Sequence, residues 1–306
     1  MFYNVENLFD TEDNPATHDD EFLPAGLRYW TPGRYYHHLR QTARVISAVG
    51  EWSTPALVGL CEVENDSVLL HLLHRTPLKE QHYLYCMTKG NDERGINSAL
   101  IYQRDKFRYL GHQAERIPFT NRSKRSRDIL HAWGEVITGD TLDVFVCHFP
   151  SRYGGEKESE QGRMDAAGYL RRLCDSLCQI RTTPNILLMG DFNDTPVDKS
   201  IRRLTQSPHP EWTLTNLFAG TTLSGTEGSH KYQGEWSQLD QIMISASWQR
   251  FLKAGSARVF NPPFLLTDDK TKRGKRPRRS YYGYKYEGGY SDHLPVVADF
   301  LLPLSE

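Results

Sequence analysis

The sequence predicts an α/β fold in which helices cover one or two mixed β-sheets. Short apolar runs that are typical of buried strands recur along the chain, and long amphipathic segments that are typical of helices separate some of them. Some predicted strands follow one another directly, whereas others are joined by a helix. This alternation favours mixed sheets and disfavours the parallel sheet of a dinucleotide-binding domain.

The strand predictions begin at the amino terminus. FYNVENLF, directly after Met1, looks like the interior of a strand, so the natural chain is expected to begin before this sequence does. The other predicted strands are ALVGL (56–60), YLYCM (83–87), NSALIY (97–102), AWGEVI (132–137), TLDVFVCHF (141–149), NILLM (185–189), LDQIMIS (239–245) and HLPVVADF (293–300).

Two long helices are predicted, one over residues 33–52 and one over residues 156–180. In the second, Leu170, Leu173, Leu177 and Ile180 repeat at helical spacing. The tyrosine-rich, basic segment 267–290 is predicted to be a long irregular loop, either functional or disordered. Since no linker interrupts the chain, residues 1–306 are expected to form a single domain and to act as a monomer.

Composition excludes several classes of protein. No apolar run approaches the roughly eighteen residues that a membrane span needs, and no signal segment is visible, so a soluble protein is expected. Its compartment stays open: cytoplasmic, or exported with the signal segment missing from this chain. The five cysteines form no CxxC pair, and they therefore suggest neither a disulfide framework nor a zinc site.

The net charge of −1 hides strong local bias. Residues 121–127 (NRSKRSR) and 270–279 (KTKRGKRPRR) are basic, whereas residues 10–21 are acidic. Each basic segment is either a solvated loop or a phosphate-binding surface, and the sequence leaves both readings open. In PRRSYYGYKYEGGYSDH (277–293), tyrosines alternate with basic residues that include Arg279, so the segment either stacks on bases and sugars and contacts phosphates or simply packs down as a loop.

Common catalytic motifs are absent from the sequence, including GxxxxGK[ST], HExxH and GxSxG. Polar residues instead follow or end the predicted strands. They are Asn4, Glu6, Glu62, His148, Asp191, Asn193, Asp240, Asp292 and His293. Because strand ends on one edge of a sheet converge, these oxygen donors and two histidines indicate a site for a hard metal ion and for proton transfer.

This set of residues, in this order, resembles the endonuclease/exonuclease/phosphatase superfamily, which includes DNase I, abasic-site endonucleases, neutral sphingomyelinases and inositol polyphosphate 5-phosphatases. The resemblance extends from Tyr3 to Phe300. It rests on the YNVEN start, on GDFND and on SDHLPV about a hundred residues later. It implies a DNase I-like, four-layered α/β sandwich of two packed mixed β-sheets flanked by helices, and Mg²⁺-dependent phosphoester hydrolysis, with Mn²⁺ as a substitute.

The resemblance also implies the metal ligands. Asn4 and Glu62 match the family positions that hold the metal, and Glu6 stands where abasic-site enzymes have an aspartate. Asp292 matches a carboxylate on the metal side of the site. Magnesium favours carboxylate and amide oxygens and keeps several water ligands, so two or three such residues suffice.

The catalytic roles follow from the same matches. Asp191 matches the residue that orients or deprotonates the attacking water, and Asn193 matches its neighbour that hydrogen-bonds the phosphate or the nucleophile. Asp240 and His293 match a carboxylate–imidazole pair in which the histidine is a base or a cationic stabiliser. His148 matches the second histidine of DNase I and the sphingomyelinases, placed near the leaving oxygen.

Two assignments stay open at this point. A carboxylate should support His148, and Asp92 and Glu93 both fit. Abasic-site enzymes have a tyrosine where this chain has His148, which argues against abasic-site repair. Arg152 is a candidate phosphate contact because its planar guanidinium suits phosphate oxygens, although a surface ion pair is the alternative.

A Mg²⁺-dependent phosphodiesterase, a nuclease acting on DNA or RNA, is the first expectation. The second is a phosphatase or phospholipase-type diesterase acting on a phosphorylated small molecule or lipid head group, and the third is a non-catalytic binding module. Within MGDFNDTP (189–196), Asp194 and Pro196 are expected to shape the turn that presents Asp191 and Asn193.

Overall fold

Two six-stranded β-sheets pack face to face and carry helices on both outer surfaces in the computed structural model, which describes residues 1–50, 53–90, 92–220 and 228–303. The layers run helix, sheet, sheet, helix, which confirms the predicted four-layered α/β sandwich. Both sheets contain parallel and antiparallel pairs. Within the described ranges, no helix is both long enough and apolar enough to cross a membrane.

The bounds of the elements are as follows. The strands are β1 (Phe2–Leu8), β2 (Leu57–Val63), β3 (Leu84–Met87), β4 (Asn97–Tyr102), β5 (Phe107–Glu115), β6 (Ile129–Val136), β7 (Thr141–His148), β8 (Asn185–Asp191), β9 (Leu214–Asn216), β10 (His230–Tyr232), β11 (Glu235–Ser237), β12 (Asp240–Ser245), β13 (Arg258–Val259), β14 (Leu266–Asp268), β15 (Lys275–Pro277), β16 (Tyr281–Tyr282), β17 (Lys285–Tyr286) and β18 (Val296–Val297). The α-helices are α1 (Pro32–Gly50), α2 (Asp66–His74), α3 (Glu156–Ile180), α4 (Lys199–Thr205) and α5 (Ala246–Gln249). Short 3₁₀ helices lie at Asp20–Phe22, Pro77–Gln81, Pro210–Trp212 and Pro263–Leu265.

The two sheets repeat one arrangement, in which a helix joins two parallel strands at the centre. In the first sheet, of order β13-β18-β1-β2-β4-β3, α1 connects the parallel strands β1 and β2. In the second sheet, of order β5-β6-β7-β8-β12-β9, α3 connects β7 and β8. Asn4 of β1 donates a hydrogen bond to Asp191 of β8, so these strand ends lie on one side of the molecule. We call this edge the rim.

The two sheets approach closely. A Cβ atom on Gly59 in β2 would lie 2.6 Å from Sδ of Met189 in β8, so this position between the sheets needs glycine. Apolar side chains from both sheets, such as Leu60 and Ile242, fill the space between them, and the same cluster continues into α1. On the far side, α3 and α4 cover the second sheet with a separate apolar cluster that contains Leu170. This packing fixes the strands that end at the rim.

Most predicted elements are present. Seven of the eight strands predicted after the amino-terminal one are found, with bounds that differ by at most three residues, and the helix predicted over 156–180 has those bounds. The helix predicted over 33–52 begins at Pro32 and is described as far as Gly50, and residues 51 and 52 lie outside the described ranges.

Three elements differ from the prediction. The strand predicted over 293–300 is reduced to Val296–Val297, since Pro295 has no N–H to donate to a ladder. Segment 267–290 is not a plain loop, because it contributes to the β14–β15 hairpin and contains the β16–β17 hairpin. Strand β5 is not predicted, because FRYLGHQAE is exposed at most positions and lacks an apolar run.

His38 of α1 makes the fold sensitive to acid. It is fully buried, its Nε2 lies 2.8 Å from the carbonyl oxygen of Val5, and burial lowers the pKa of His38 to about 4. Above its ordinary pKa of 6.5 the ring is neutral in both folded and unfolded states, so its contribution to stability is complete. Below that pH His38 binds a proton in the unfolded chain but stays neutral in the folded chain, so the free energy of unfolding decreases until about pH 4.

We therefore expect His38→Gln, which keeps an N–H donor but does not titrate, to weaken the loss of stability between pH 6.5 and 4. The difference should be on the order of 3 kcal/mol over that range. Urea unfolding of both proteins at several pH values measures it. Parallel pH profiles for the two proteins would contradict the assignment.

Candidate active site

The sheet topology brings five of the predicted site residues side by side at the rim. Asn4 lies in β1 and Glu62 in β2, while His148 ends β7 and Asp191 ends β8. Strand β12 begins at the same edge, and its register pairs Asp240 with Asp191. Neighbouring strands therefore present oxygen and nitrogen donors to one place.

The backbone leaves the strand conformation at the rim. Glu6, Asn7, Glu62 and Asn193 have φ angles of 53°, 54°, 65° and 51°. Left-handed backbone is costly for residues that carry a Cβ atom, and such residues cluster at functional sites. The ladder between β1 and β2 also shifts register here, as at a bulge. These local departures turn side chains into the space above the strand ends.

The carboxylate of Asp191 lies at the centre of the site. Its Oδ2 accepts a hydrogen bond from Nδ2 of Asn4 at 3.1 Å and lies 3.7 Å from Nε2 of His148 and 3.8 Å from Nε2 of His293. Burial raises the pKa of Asp191 to about 6, although the charge of His293 opposes the increase. A carboxylate with a pKa near neutrality is suited to accept a proton from water.

Asp240 holds the ring of His293. Nδ1 of His293 lies 2.7 Å from Oδ2 of Asp240, which also accepts a hydrogen bond from the hydroxyl of Ser229 at 2.6 Å. Burial opposes a charge on this ring, but Asp240 and Asp191 outweigh burial and raise the pKa of His293 well above its ordinary value. His293 is thus an imidazolium whose Nε2 faces Asp191.

His148 has the opposite preference. Burial, with the charges of Arg127 and Arg94 adding to it, lowers the pKa of His148 well below its ordinary value. Its Nε2 lies 3.9 Å from Oε1 of Glu62 and 3.7 Å from Oδ2 of Asp191, the central carboxylate. A neutral and a cationic histidine therefore flank one carboxylate, and such opposed environments separate proton donors from acceptors.

The structure brings neither of the two predicted carboxylates to His148. Its Nδ1 atom is buried and has no hydrogen-bond partner among the described residues. Asp92 instead lies 3.4 Å from Nη1 of Arg127 and accepts the backbone N–H of Arg94 at 3.0 Å. The side chain of Glu93 is exposed. The support is absent from the described contacts because two arginines occupy Asp92.

The four predicted metal ligands divide into two groups. Asn4 and Glu62 lie beside the central carboxylate, and the second oxygen of Glu62 accepts a backbone N–H from the β1 end at 2.8 Å. Glu6 and Asp292 turn towards Arg279, whose Nε and Nη2 lie 3.1 and 2.9 Å from them. Metal ligation by Glu6 and Asp292 stays a prediction, and these contacts do not favour it.

The donor set beside Asp191 fits a hard divalent cation. Oε1 of Glu62 and Oδ2 of Asp191 both lie within 4 Å of one imidazole nitrogen of His148. Asp240 pairs with Asp191 across β12 and β8, and its Oδ1 is buried without a partner among the described residues. Carboxylates crowded in this way concentrate negative charge, which a cation such as Mg²⁺ neutralises.

Arg279 belongs to the site, although in the sequence it is only one of several basic residues in segment 270–279. It bridges Glu6 and Asp292, and 32% of its side chain is exposed. Burial opposes ionisation of Asp292, but Arg279 and His293 lower the pKa of Asp292 to about 2. Burial raises the pKa of Glu6 to about 8, with Asp292 adding to the increase. Arg279 therefore keeps Asp292, the residue before His293, ionised.

His230 is a second neighbour that the sequence analysis does not identify. It forms an antiparallel bridge with His293, and the two ring centroids are 4.5 Å apart. Burial, with the charge of His293 adding to it, lowers the pKa of His230 to about 4. A neutral ring therefore packs against the cationic one. Only the pairing of β10 with the segment around His293 places it there, and no local motif signals this contact.

Hydrogen bonds to Asp191 and Arg152 hold the turn that contains Asn193. The backbone N–H of Asn193 donates to Oδ1 of Asp191 at 2.9 Å, and its carbonyl accepts a hydrogen bond from Nε of Arg152 at 2.8 Å. Nη2 of Arg152 lies 3.2 Å from Asp194. Arg152 is thus engaged within the turn, and its predicted phosphate contact stays a prediction. The buried Asp194 shapes the turn, as expected.

Comparisons with known proteins agree with this architecture. A family model described as "Endonuclease/Exonuclease/phosphatase family" matches residues 1–301. A search of curated proteins finds no match. Among solved structures, a mannosyl-6-phosphatase of Bacteroides thetaiotaomicron VPI-5482 is 15% identical and has a TM-score of 0.63, with 98% of each chain covered.

Two further solved structures are similar. The catalytic domain of human Nocturnin is 17% identical, with a TM-score of 0.57 and 86% of each chain covered. TDP2 from Caenorhabditis elegans is 13% identical, with a TM-score of 0.60, and the match covers 89% of this chain and 71% of that one. At such identities the likeness supports the fold and does not identify a substrate.

Proposed function

This chain belongs to the endonuclease/exonuclease/phosphatase family and is therefore a phosphoesterase, and we propose that it is a Mg²⁺-dependent hydrolase of phosphodiester bonds, acting as a monomeric nuclease on DNA or RNA. One observation carries the proposal: a carboxylate with a pKa near neutrality lies between a neutral and a cationic histidine at the rim. Such a set can accept a proton from water while it neutralises an anionic diester.

Asn4 and Glu62 would hold the metal, next to Asp191. A divalent cation supplies neutralisation of the phosphate charge and polarisation of a phosphoryl oxygen when it is bound. Mn²⁺ is proposed to substitute for Mg²⁺, since both accept carboxylate, amide and water ligands. The amide oxygen of Asn4 also accepts the N–H of Glu6 at 3.0 Å, which fixes the orientation of that side chain.

The chain's own groups divide the remaining work. Asp191 accepts the proton of the attacking water, and Asn193, held by its backbone bond to Asp191, orients the phosphate or the water. The imidazolium of His293, fixed by Asp240, stabilises charge on the phosphate through Nε2. Nε2 of His148 also lies near the carboxylate of Asp191, where it can hydrogen-bond the leaving oxygen.

A second candidate function is hydrolysis of a phosphorylated small molecule, and one observation favours it. A recess of about 310 Å³, lined in part by Arg276, Arg279 and Tyr282, opens beside Asp292. Its volume is at the lower end of the range for small-ligand sites. One structural neighbour is named as a mannosyl-6-phosphatase, and this name indicates that its substrate is a phosphorylated sugar. A phospholipase-type substrate has no comparable support.

A hydrolysis panel tests the choice. Purified protein with Mg²⁺ or Mn²⁺ is offered plasmid DNA, single-stranded RNA, abasic-site duplex, inositol phosphates, mannose 6-phosphate and sphingomyelin, with EDTA and the His293→Ala protein as blanks. We expect metal-dependent cleavage of nucleic acid. Release of inorganic phosphate from the small molecules without cleavage of nucleic acid would overturn the nuclease assignment in favour of the second candidate.

A further inference from the structure

We propose that the groove formed by residues 116–128 binds the sugar-phosphate backbone of a nucleic-acid strand whose scissile phosphate lies at the rim. The groove has a volume of about 570 Å³, and four of its lining residues are cationic: Arg116, Arg122, Lys124 and Arg125. This inference rests on the proposed function and goes further, because it assigns substrate binding to one of the two basic segments.

The groove lies at the same edge of the second sheet as the catalytic residues. Its loop joins β5 to β6, and Leu130 of β6 pairs with Val146 of β7. Because this pairing is antiparallel, the start of β6 is level with His148 at the end of β7. Nη2 of Arg127, near the end of the loop, donates to the carbonyl of Phe149 at 2.8 Å. The loop is therefore anchored next to the site.

The cations of the groove are available to a ligand. The side chains of Arg116, Arg122 and Arg125 are exposed. Within the described part of the chain, none of them, nor Lys124, forms an ion pair, although Asp128 interacts electrostatically with Arg116 and Asp165 with Lys124. Asp128 is the one acidic residue in the lining. Asp165 of α3 accepts hydrogen bonds from Thr120 of the loop, so four cations face two nearby carboxylates, and the surface keeps an excess of positive charge that attracts phosphates.

Two buried or half-buried polar groups border the groove. Ser126 lines it and is buried, and its hydroxyl has no hydrogen-bond partner among the described residues. Lys124 is half-buried over the ring of Phe119, with 5.3 Å between Nζ and the ring centroid. Burial, with the charges of Arg127 and Arg163 adding to it, lowers the pKa of Lys124. An anion in the groove would relieve the positive charge that is crowded around Lys124.

The second basic segment, 270–279, is a contrasting case. Lys275 pairs with Asp268, Arg276 pairs with Glu287, and Arg279 bridges the two acidic residues of the site. Three of the seven cations of this segment are thus paired, whereas none of the four groove cations forms an ion pair in the described part of the chain. Pairing, and not the number of basic residues, favours the groove as the main contact for a phosphate backbone.

The distance between the groove and the site suits a continuous strand. β6, β7 and β8 are neighbours, so two strand spacings, about 10 Å, separate the start of β6 from Asp191 at the end of β8. Along one strand of a duplex, phosphates follow one another about every 3.4 Å of helix axis. A nucleic-acid strand with one phosphate at Asp191 therefore reaches the groove within a few nucleotides.

Salt-dependent binding tests the inference. A fluorescently labelled single-stranded oligodeoxynucleotide is titrated with His293→Ala protein at several salt concentrations. Adding Arg122→Ala and Arg125→Ala is expected to reduce the slope of log K against log salt by about 1.4, since each lost phosphate contact on a single strand contributes about 0.7. The matched control, Arg250→Ala with Arg258→Ala, removes the same charge at two cations that are already paired, with Asp140 and Asp299, and should change the slope little.

The outcomes are decisive. An unchanged slope in the groove variant, an equal reduction in the control, or no salt-dependent binding by the parent would each overturn the inference. Unfolding midpoints of the parent and of the groove variant should agree, since both arginines are exposed. Metal-dependent hydrolysis of a small aryl phosphodiester by the unaltered protein reports separately on the proposed function, so the groove assignment and the reaction can fail independently.

Discussion

Replacing His293 by alanine is expected to lower metal-dependent hydrolysis by about 10²- to 10⁴-fold while the protein stays folded. The reason is that His293 is the cationic partner of Asp191 and is held in place by a 2.7 Å contact with Asp240. Its removal takes away a positioned proton-transfer group and a charge that stabilises the phosphate. Initial rates on the best substrate of the hydrolysis panel measure the loss.

A second histidine–aspartate pair offers a matched control for this prediction. Nε2 of His131 lies 3.0 Å from Oδ1 of Asp143, and the ring stacks on Phe145 in the second sheet, away from the rim. His131→Ala removes a similar pair with no effect expected on turnover. Near-normal rates in His293→Ala, or equal losses in both variants, would show that His293 has no special part in the reaction.

Replacing Asp194 by alanine is expected to destabilise the protein by about 3–5 kcal/mol, the largest stability effect of a single change that we predict. Asp194 is 3% exposed, and its Oδ1 lies 2.7 Å from Nε of Arg163, which is 1% exposed. Its Oδ2 accepts the hydroxyl hydrogen of Ser200 at 2.6 Å. The substitution leaves the guanidinium of Arg163 buried without its counter-charge. Guanidinium chloride unfolding gives the free energy of unfolding.

Asp198 serves as the comparison for Asp194. It also contacts Arg152, at 2.9 Å, but its side chain is 30% exposed, so solvent screens the pair. Asp198→Ala is expected to cost only about 1 kcal/mol. If Asp194→Ala unfolds with the same free energy as Asp198→Ala, the buried ion pair with Arg163 does not hold the turn that presents Asp191 and Asn193.

Sequence pattern predicts those parts of the fold in which burial repeats along one segment. Helix α3 is such a case, because Leu170, Leu173 and Leu177 at helical spacing pack on the second sheet, whereas Ile180 at the helix end is exposed. The three-residue strand β9 and the two-residue strand β13 depend on pairing with distant segments and leave no local signal. The exposed strand β5 escapes for a related reason, since it is held by pairing with β6 and not by its own apolar face.

The site shows the same division. Convergence of Asp191, Asp240 and His293 follows from the rule that strand ends share an edge, so the sequence predicts it. The charge pairs around that centre are different. Arg279 is bonded to Glu6 across 273 residues of chain. Which of several arginines in a basic segment faces the site, and which carboxylate it occupies, is decided by packing between such distant segments.

The residues with left-handed backbone at the rim lower the stability of the fold but carry side chains that the reaction needs. Glu62 and Asn193 hold backbone conformations in which glycine is more stable, by roughly 1–2 kcal/mol at a glutamate. Glycine at either position would relax the backbone and remove the functional side chain. Selection for heat resistance alone would therefore favour glycine at these positions and would yield a more stable protein that lacks hydrolytic activity. Screens for stabilised variants of this chain need to assay hydrolysis in parallel.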